Sequence, residues 1–332
     1  MVILIRYVIK RILWIIPVML GVIVIVFTIN FFTPGDPVMT MLGSNYTLES
    51  YEYLRAELGY DRPFFVQLFS YIWNLVTKLD FGVSITTGLP VGTELIAKFP
   101  VTLRLGLSTV CVTALLGIPL GIISSTKQYT ILDYGVTTIA VISAAIPGFV
   151  LALFALMLFS LRLRWLPITG IATWDAWILP ILSGAVPFVA VITRMTRTSM
   201  LEVIRQDYIR TARSKGLREG FIIRRHALPN ALIPIVTSLG IQLGHIAGGS
   251  LIIETIFAIP GMGLYMYSGI SGRDHLIING CVLLISIMVC VMNLIIDIAY
   301  AFIDPRIKAL YATKKGKARA LKQALPASSE VA

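Results

Sequence analysis

Residues Tyr208 to Pro234 read YIRTARSKGLREGFIIRRHALPNALIP, and this stretch is the part of the chain that lipid cannot surround. Its first 21 residues contain six Lys or Arg and one acid, although apolar runs precede and follow it. Charges at this density are too costly for a hydrocarbon core, so the stretch lies in water between two membrane spans. Gly216 favours a left-handed helix stop and Pro229 favours a break before the next helix. We therefore predict two short helices joined by a small-residue turn.

This basic stretch has two interpretations. A positively charged loop between spans is compatible with a topology anchor alone. An anchor requires neither the length nor the helical order of residues 208–228, so we expect a docking surface for a cytosolic partner.

Apolar residues dominate the rest of the chain. Of the 332 residues 57% are hydrophobic and the mean hydropathy is +0.84, whereas soluble chains contain about 45–50% apolar residues. Runs without Asp, Glu, Lys or Arg that approach or exceed roughly 20 residues are long enough to cross a bilayer. Six are present: Ile12 to Phe32, Leu105 to Ile123, Tyr134 to Leu161, Ala176 to Thr193, Ala227 to Ile253 and Leu276 to Ile296. The predicted fold is an all-α polytopic membrane protein with six transmembrane helices.

The formal net charge of +11 is distributed unevenly along the chain. With the N-terminus inside, the inner segments hold 20 Lys or Arg and the outer segments hold seven. This asymmetry follows the positive-inside rule, which sets the orientation without any nucleic acid as a partner. We expect both termini in the cytoplasm and a lipid bilayer around the spans.

The predicted organisation has four parts. Residues 1–32 are a cytosolic N-terminus and a first span that is retained, since its apolar run exceeds the usual ~7–15 residues of a signal peptide. Residues 33–100 form a small water-soluble extracytoplasmic insert with short helices at 48–58 and 64–79. It is a cap over the outer mouth, a contact for an external partner or an inert spacer. Residues 101–306 form a five-helix core whose loop at 194–229 includes most of the basic stretch, and residues 307–332 form a basic cytosolic tail, predicted to be disordered.

Catalytic and cofactor signatures are missing from the sequence. No G-x-x-x-x-G-K-S/T phosphate loop, H-E-x-x-H motif or nucleophile elbow occurs, and the three cysteines have no metal-ligand spacing. We therefore predict no enzyme activity, cofactor or metal. Ion-coupled carriers use ionisable residues at mid-membrane depth, whereas Glu254 and Asp297 lie near span ends. Energy for transport must then come from a partner.

The basic stretch resembles the coupling loop of membrane subunits of binding-protein-dependent ABC importers. That loop has the pattern E-A-A-x-x-x-G followed after nine residues by I-x-L-P. Arg210, Thr211 and Ala212 stand at the E-A-A positions, Gly216 at the glycine, and Leu228-Pro229 at the closing L-P, while His226 replaces the isoleucine. Tyr-x-Arg-Thr-Ala-Arg-x-Lys-Gly and His-Ala-Leu-x-Asn-Ala-x-x-Pro are typical of the dipeptide/oligopeptide/nickel branch.

Three more stretches resemble the same branch, in order along the chain. They are PGDP at Pro34 to Pro37, ETIFAIPGMG at Glu254 to Gly263, and DIAYAFIDPR at Asp297 to Arg306. The insert between the first two spans is shared by the B-type peptide permeases. We expect Glu254, Pro260 and Gly261 at an outer gate or in a structural role, with a nearby cation as the alternative partner of Glu254, and Asp297, Asp304 and Arg306 at the exit of the sixth helix.

The resemblance implies a type I importer permease with a MetI-like transmembrane domain in a bacterial or archaeal plasma membrane. A homologous second permease, two cytosolic ABC ATPases and an extracytoplasmic binding protein would be its partners, and dipeptides or oligopeptides its substrates. Arg210, Arg213 and Lys215 would then contact the ATPase groove.

Three alternatives remain open at this point. The same architecture could import nickel or another small solute, for which His245 and His275 are the sequence support. A secondary carrier would require mid-membrane charges. A membrane anchor without transport would leave the broken spans at Pro147 and Pro187 unexplained.

Overall fold

A computed structural model describes residues 2–43 and 46–303, and for residues 2–7, 243, 245–250, 297 and 299–303 it describes the backbone alone. Every regular element in these ranges is helical. The helices are α1 (Val2–Phe32), α2 (Pro37–Leu42), α3 (Leu48–Glu57), α4 (Phe64–Lys78), α5 (Val91–Thr126), α6 (Ile131–Ala145), α7 (Gly148–Ala155), α8 (Ile178–Ile204), α9 (Asp207–Ser214), α10 (Glu219–Ile222), α11 (Leu228–Ile256), α12 (Met262–Ser271) and α13 (His275–Ile303).

The long helices match the predicted membrane spans. Among the residues that the structure describes, four stretches are long and apolar enough to cross a bilayer, and α6 with the helical segment Gly148–Arg162 makes a fifth span if the two are counted as one. The predicted fifth run, Ala227 to Ile253, coincides with α11, whose 29 residues exceed the roughly 20 that a span requires. The all-α polytopic fold is therefore confirmed.

The third span is broken at the predicted place. Ile146 leaves the helical region with φ −93° and ψ 122°, and α6 and α7 meet at 95°. The residue before a proline is pushed out of the helical conformation by the proline ring, so Pro147 causes the break. Beyond α7 the chain continues as a π-helical turn, Leu156–Arg162.

Two helices extend beyond their predicted bounds. The second span was expected to start near Arg104, but α5 begins at Val91 and crosses the predicted insert boundary at residue 100 without a break. The fourth span was expected to end at Arg194, but α8 continues to Ile204 because Thr196, Ser199 and Met200 stay buried against neighbouring helices. Apolar runs mark only the part of a helix that lies in lipid, so both ends were underestimated.

Close helix contacts occur where side chains are small. A Cβ on Gly117 of α5 would stand 2.8 Å from Cγ2 of Ile192 in α8, and one on Gly121 would overlap Thr196. Gly240 of α11 faces Ile296 of α13 in the same way. These glycines let neighbouring backbones approach, as is common between membrane helices.

The two ends of the bundle carry different structures, which we call the insert end (residues 33–90) and the coupling end (residues 205–227). At the insert end, the predicted helices at 48–58 and 64–79 are present as α3 and α4. Asp36 caps α2 by accepting a hydrogen bond from the Val38 amide at 2.8 Å, and it also accepts the hydroxyl of Tyr51.

Candidate coupling site and insert-end clasps

The basic stretch folds as two short helices seated on the bundle. The side chains of Ile209 and Ala212 on α9 are buried against Met200 of α8 and Ile222 of α10. Asn230 at the start of α11 donates to the Tyr208 hydroxyl at 3.0 Å and to the His226 carbonyl at 2.9 Å. The segment is therefore packed on the ends of α8 and α11 and is positioned by them.

Gly216 forms the turn between α9 and α10. Its φ is +75°, the left-handed region predicted for it, and its amide donates to the Arg213 carbonyl at 2.9 Å. Across the turn, the Arg213 guanidinium makes two hydrogen bonds to Glu219, at 2.6 Å and 3.1 Å. This hydrogen bonding lowers the pKa of the Glu219 carboxyl and raises the pKa of Arg213, so the pair stays ionised at neutral pH.

The other sequence-selected residues of this segment separate into exposed and buried positions. Arg210, Thr211 and Lys215 are exposed on α9 and its end, whereas Ala212 is buried beneath them. Glu219 was not among the site residues predicted from the sequence. An acid that follows several basic residues could have indicated an ion pair such as the one with Arg213. Three exposed apolar side chains were also missed, namely Tyr208, Leu217 and Phe221. They give the surface an apolar component between the cations.

Pro229 does not produce the break that the sequence favoured. The chain passes from α10 through a π-helical turn, Ile223–Ala227, directly into α11, with Leu228 at φ −57° and ψ −46°. Proline lacks the amide that an α-helix needs and its ring displaces the carbonyl four residues earlier. The wider π turn accommodates this, and Pro229 then occupies the first turn of α11, where its missing amide is not needed.

An ion pair between a buried carboxylate and a partly exposed guanidinium lies next to this segment. Asp133 at the start of α6 is 3% exposed and accepts two hydrogen bonds from Arg197 of α8, at 2.8 Å and 2.9 Å. The Ser124 hydroxyl and the Tyr129 amide donate to the same carboxylate. The pair joins the α5–α6 turn to the extension of α8 that carries α9.

The motif Glu254 to Gly263 forms a clasp around the carboxylate of Glu254. This side chain is fully buried at the end of α11 and accepts from the Thr102 hydroxyl at 2.7 Å and from the amides of Gly263 and Leu264 at 2.7 Å and 3.1 Å. The Thr102 oxygen also accepts the Met262 amide at 2.8 Å. Glu254 therefore holds the start of α12 against α5 and α11.

Glycines give this clasp its shape. A Cβ on Gly261 would lie 2.6 Å from Cδ of Glu254, and one on Gly263 would lie 2.5 Å from Cα of Leu251. Pro260, by contrast, is exposed. The structure brings Glu254 and Gly261 together, while Thr102, 152 residues away from Glu254, was not selected from the sequence.

A second clasp fastens the insert to the bundle. Asp274, between α12 and α13, is fully buried, and its Oδ2 accepts the Ser84 hydroxyl at 2.8 Å and the amides of Ile85 and Thr86 at 2.7 Å and 3.1 Å. Its Oδ1 accepts the Ile277 amide at 3.3 Å. One carboxylate thus fixes the loop before α5 to the start of α13.

Of the predicted exit residues, Asp297 falls within α13. Asp304 and Arg306, and the tail 307–332, lie outside the described residues. Within the described part of the chain, no group of three His, Cys, Asp or Glu side chains is placed to hold a metal ion.

Fold and sites together define a class of protein. It is a helical membrane protein in which the third span is broken, a basic helical segment packs on one end of the bundle, and hydrogen bonds to Asp274 fasten the insert to the other end. Residues 117–309 match the family described as binding-protein-dependent transport system inner membrane component, and residues 4–106 match its N-terminal family.

Curated relatives give the same result. The glutathione transport system permease GsiC of Escherichia coli strain K12 and that of Shigella flexneri serotype 5b are each 37% identical to this chain over 303 residues, which are 91% of this chain and 99% of each relative. A solved chain of the MetNI methionine ABC transporter in an inward-facing conformation has the same fold, with a TM-score of 0.55 at 22% identity over 63% of this chain and 96% of that chain.

This chain therefore belongs to the family of binding-protein-dependent transport system inner membrane components. It is a permease subunit of an ABC importer and a multi-pass protein of the bacterial inner membrane, and the type I, MetI-like architecture is confirmed. In this family a second permease, ATPase subunits and a substrate-binding protein complete the importer, and the ATPases hydrolyse ATP. Nickel import and ion-coupled carriage are not favoured.

Proposed function

We propose that this chain forms, with a second permease, the path through which an importer passes short peptides. The observation that carries this proposal is the 37% identity, over 91% of the chain, to permeases of glutathione transport systems. Glutathione is a small peptide, so dipeptides and oligopeptides of similar size are the substrate class.

The α9–Gly216–α10 segment is the surface on which a cytosolic ATPase docks. Arg210, Arg213 and Lys215 supply exposed cationic contacts, and Tyr208 and Phe221 add apolar contacts. Ala212 and Leu228 seat the segment, and Pro229 starts the helix that receives the motion. Because α9 is packed on α8 and α11, closure of the ATPases would move both spans together and rock the permease between inward and outward states.

The orientation follows from the charges. The coupling end, rich in Lys and Arg, faces the cytoplasm with both termini, and the acidic insert faces the outside. Glu254 and Gly261 then hold the outer ends of α5, α11 and α12 in one arrangement and serve as the pivot of an outer gate, with Pro260 at its rim. Asp297, Asp304 and Arg306 belong to the inner exit of the sixth span.

Reconstitution tests the proposal directly. The two permeases, the ATPases and the binding protein are assembled in liposomes, and uptake of radiolabelled glutathione, dipeptides and Ni²⁺ is measured with and without ATP. We expect uptake of a peptide that requires both ATP and the ATPases. Uptake of Ni²⁺ alone would contradict the substrate class, and uptake without the ATPases would contradict the coupling role.

A further inference from the structure

Helix α4 in the insert exposes large apolar side chains on the face that a soluble helix would cover with polar ones. Phe65, Phe69, Trp73 and Val76 form one face and are exposed by 58–78%. The half-buried polar side chains Gln67 and Asn74 lie on the opposite face and line an open cleft of about 410 Å³ that α1 and α13 also line, while Ser70 lies at the edge between the two faces. A helix in water turns its polar face to solvent, so the environment of the outward face is not water.

The third side of α4 is fixed against two membrane spans. Its Tyr71 and Leu75 are buried with Ile23 of α1 and Leu283 of α13. Ile23 lies nine residues before the end of α1 and Leu283 eight residues after the start of α13, which correspond to about 13 Å and 12 Å along the helices. The ring centroids of Phe27 and Tyr71 are 5.8 Å apart. The face of α4 that holds Tyr71 and Leu75 therefore packs deeper in the bundle than the ends of α1 and α13 that lie next to the insert.

The composition of α4 fits this depth. Phe64 to Thr77 are 14 consecutive residues without Asp, Glu, Lys or Arg. That run is too short to cross a bilayer and has the length of an interfacial or re-entrant segment. Lys78 stands in the last turn of the helix, where its long side chain can reach the headgroups.

The outward face of α4 continues the lipid-facing surface of α1. Between Val8 and Phe32, Ile23 is the only buried side chain, so α1 is a span that this chain barely covers. Phe64 contacts Phe31 at 5.0 Å between ring centroids, which joins the two aromatic surfaces.

We propose that α4 is an interfacial helix whose face of Phe65, Phe69, Trp73 and Val76 contacts acyl chains of the outer leaflet. The insert is then tethered to the membrane by α4, and α2 and α3 are its water-facing part. This placement differs from the expectation of a wholly water-soluble insert, because the 14 uncharged residues of α4, ten of them apolar, are too few to be counted as a span.

Spin-label accessibility tests this placement in the complete importer in phosphatidylcholine liposomes. Cys111, Cys281 and Cys290 are first replaced by Ala, and a nitroxide is attached at F69C or V76C. The matched control is Y53C on α3, which is 70% exposed in the same insert. Collisions with lipid-soluble oxygen should exceed those with a water-soluble nickel chelate at Phe69 and Val76, and the ratio should reverse at Tyr53.

Two results would overturn the proposal. An excess of nickel-chelate collisions at Phe69 would place the face in water, and exclusion of both reagents would show that a protein such as the second permease covers it. Where a labelled variant does not assemble, brominated phosphatidylcholine provides a measurement without added cysteines. Quenching in the wild type should exceed that in W73F, and equal quenching counts against the proposal.

Discussion

The left-handed turn at Gly216 can be tested without steric complications. Apart from Gly216 and its two neighbours, no described atom of this chain lies within 4 Å of the point that a Cβ would occupy, so within this chain the cost of a side chain there comes from the backbone. An L-residue in this conformation costs about 1–2 kcal/mol, and Asn tolerates it best. We expect G216A to lower the ratio of peptide imported to ATP hydrolysed, and G216N to retain more of it. Equal values for wild type and G216A would exclude a role for the turn in coupling.

Arg213 has two possible roles that substitution can separate. If it contacts the ATPase, R213Q should weaken binding of the ATPases to the permease pair, while E219Q should leave binding nearly unchanged. If Arg213 and Glu219 interact only with each other, R213Q and E219Q should change ATPase binding by the same amount.

The pH dependence of this pair sets the conditions for that measurement. The pKa of Glu219 is lowered, so the contribution of the pair is complete above the carboxyl's unfolded pKa and is lost as the pH falls through the lowered folded value. Binding at neutral pH is therefore measured with the pair fully ionised. The pair is exposed, so the effect of E219Q on unfolding should stay below about 1 kcal/mol.

At the scale of elements, Asp133 and Arg197 decide how firmly α8 is held at the coupling end. Removal of one partner from a buried pair typically costs 3–5 kcal/mol because the other charge remains unpaired. The Arg197 side chain is 27% exposed, so we expect D133A to destabilise the purified permease by less than the roughly 3 kcal/mol at the lower end of that range, and to reduce coupled transport. Thermal unfolding in detergent, followed by tryptophan fluorescence, measures the first effect.

A double-mutant cycle supplies the control for this pair. D133A combined with R197A should cost less than the sum of the single variants, since neither charge is then left alone. E94Q removes a partly exposed ion pair with Lys98, four residues away on the same helix, and should cost at most about 0.5 kcal/mol. Strictly additive effects of D133A and R197A would contradict a direct interaction.

The Glu254 clasp makes a different prediction, because a hydroxyl and two backbone amides donate hydrogen bonds to its carboxylate. E254A leaves these three buried donors without their acceptor, at about 1–3 kcal/mol each. E254Q keeps one acceptor oxygen and should lose less than half as much stability. The same thermal measurement distinguishes them, and similar values for both variants would assign the stabilisation to charge and not to hydrogen bonding.

At the scale of the molecule, the parts predictable from sequence are those set by local pattern. Apolar runs locate the spans because hydrocarbon requires about 20 uncharged residues whatever surrounds them. Pro147 locates the break in the third span, and Gly216 the turn of the coupling segment, because each residue restricts or frees its own backbone. The family resemblance rested on such local stretches and is confirmed.

The rest of the structure depends on contacts that no local pattern contains. Arg197 lies 64 residues from Asp133, and Ser84 lies 190 residues from Asp274. Each of these acids is common in a loop or at a helix end, and only the packing of the bundle brings its partner to it. Likewise α8 continues past Arg194 because Met200 is buried against α9 and α10. The charge pattern alone does not indicate this contact.

The orientation of the whole molecule provides the last prediction. The Lys and Arg asymmetry puts α3 outside and α9 inside, so Y53C and R210C should lie on opposite sides of the membrane. In a background with the three native cysteines replaced, a membrane-impermeant maleimide should label Y53C in right-side-out vesicles and R210C only in inverted ones. Both side chains are exposed in this chain, and vesicles that contain the permeases without the ATPases keep Arg210 accessible. Labelling of R210C in right-side-out vesicles would reverse the topology and with it the assignment of α9 to a cytosolic ATPase.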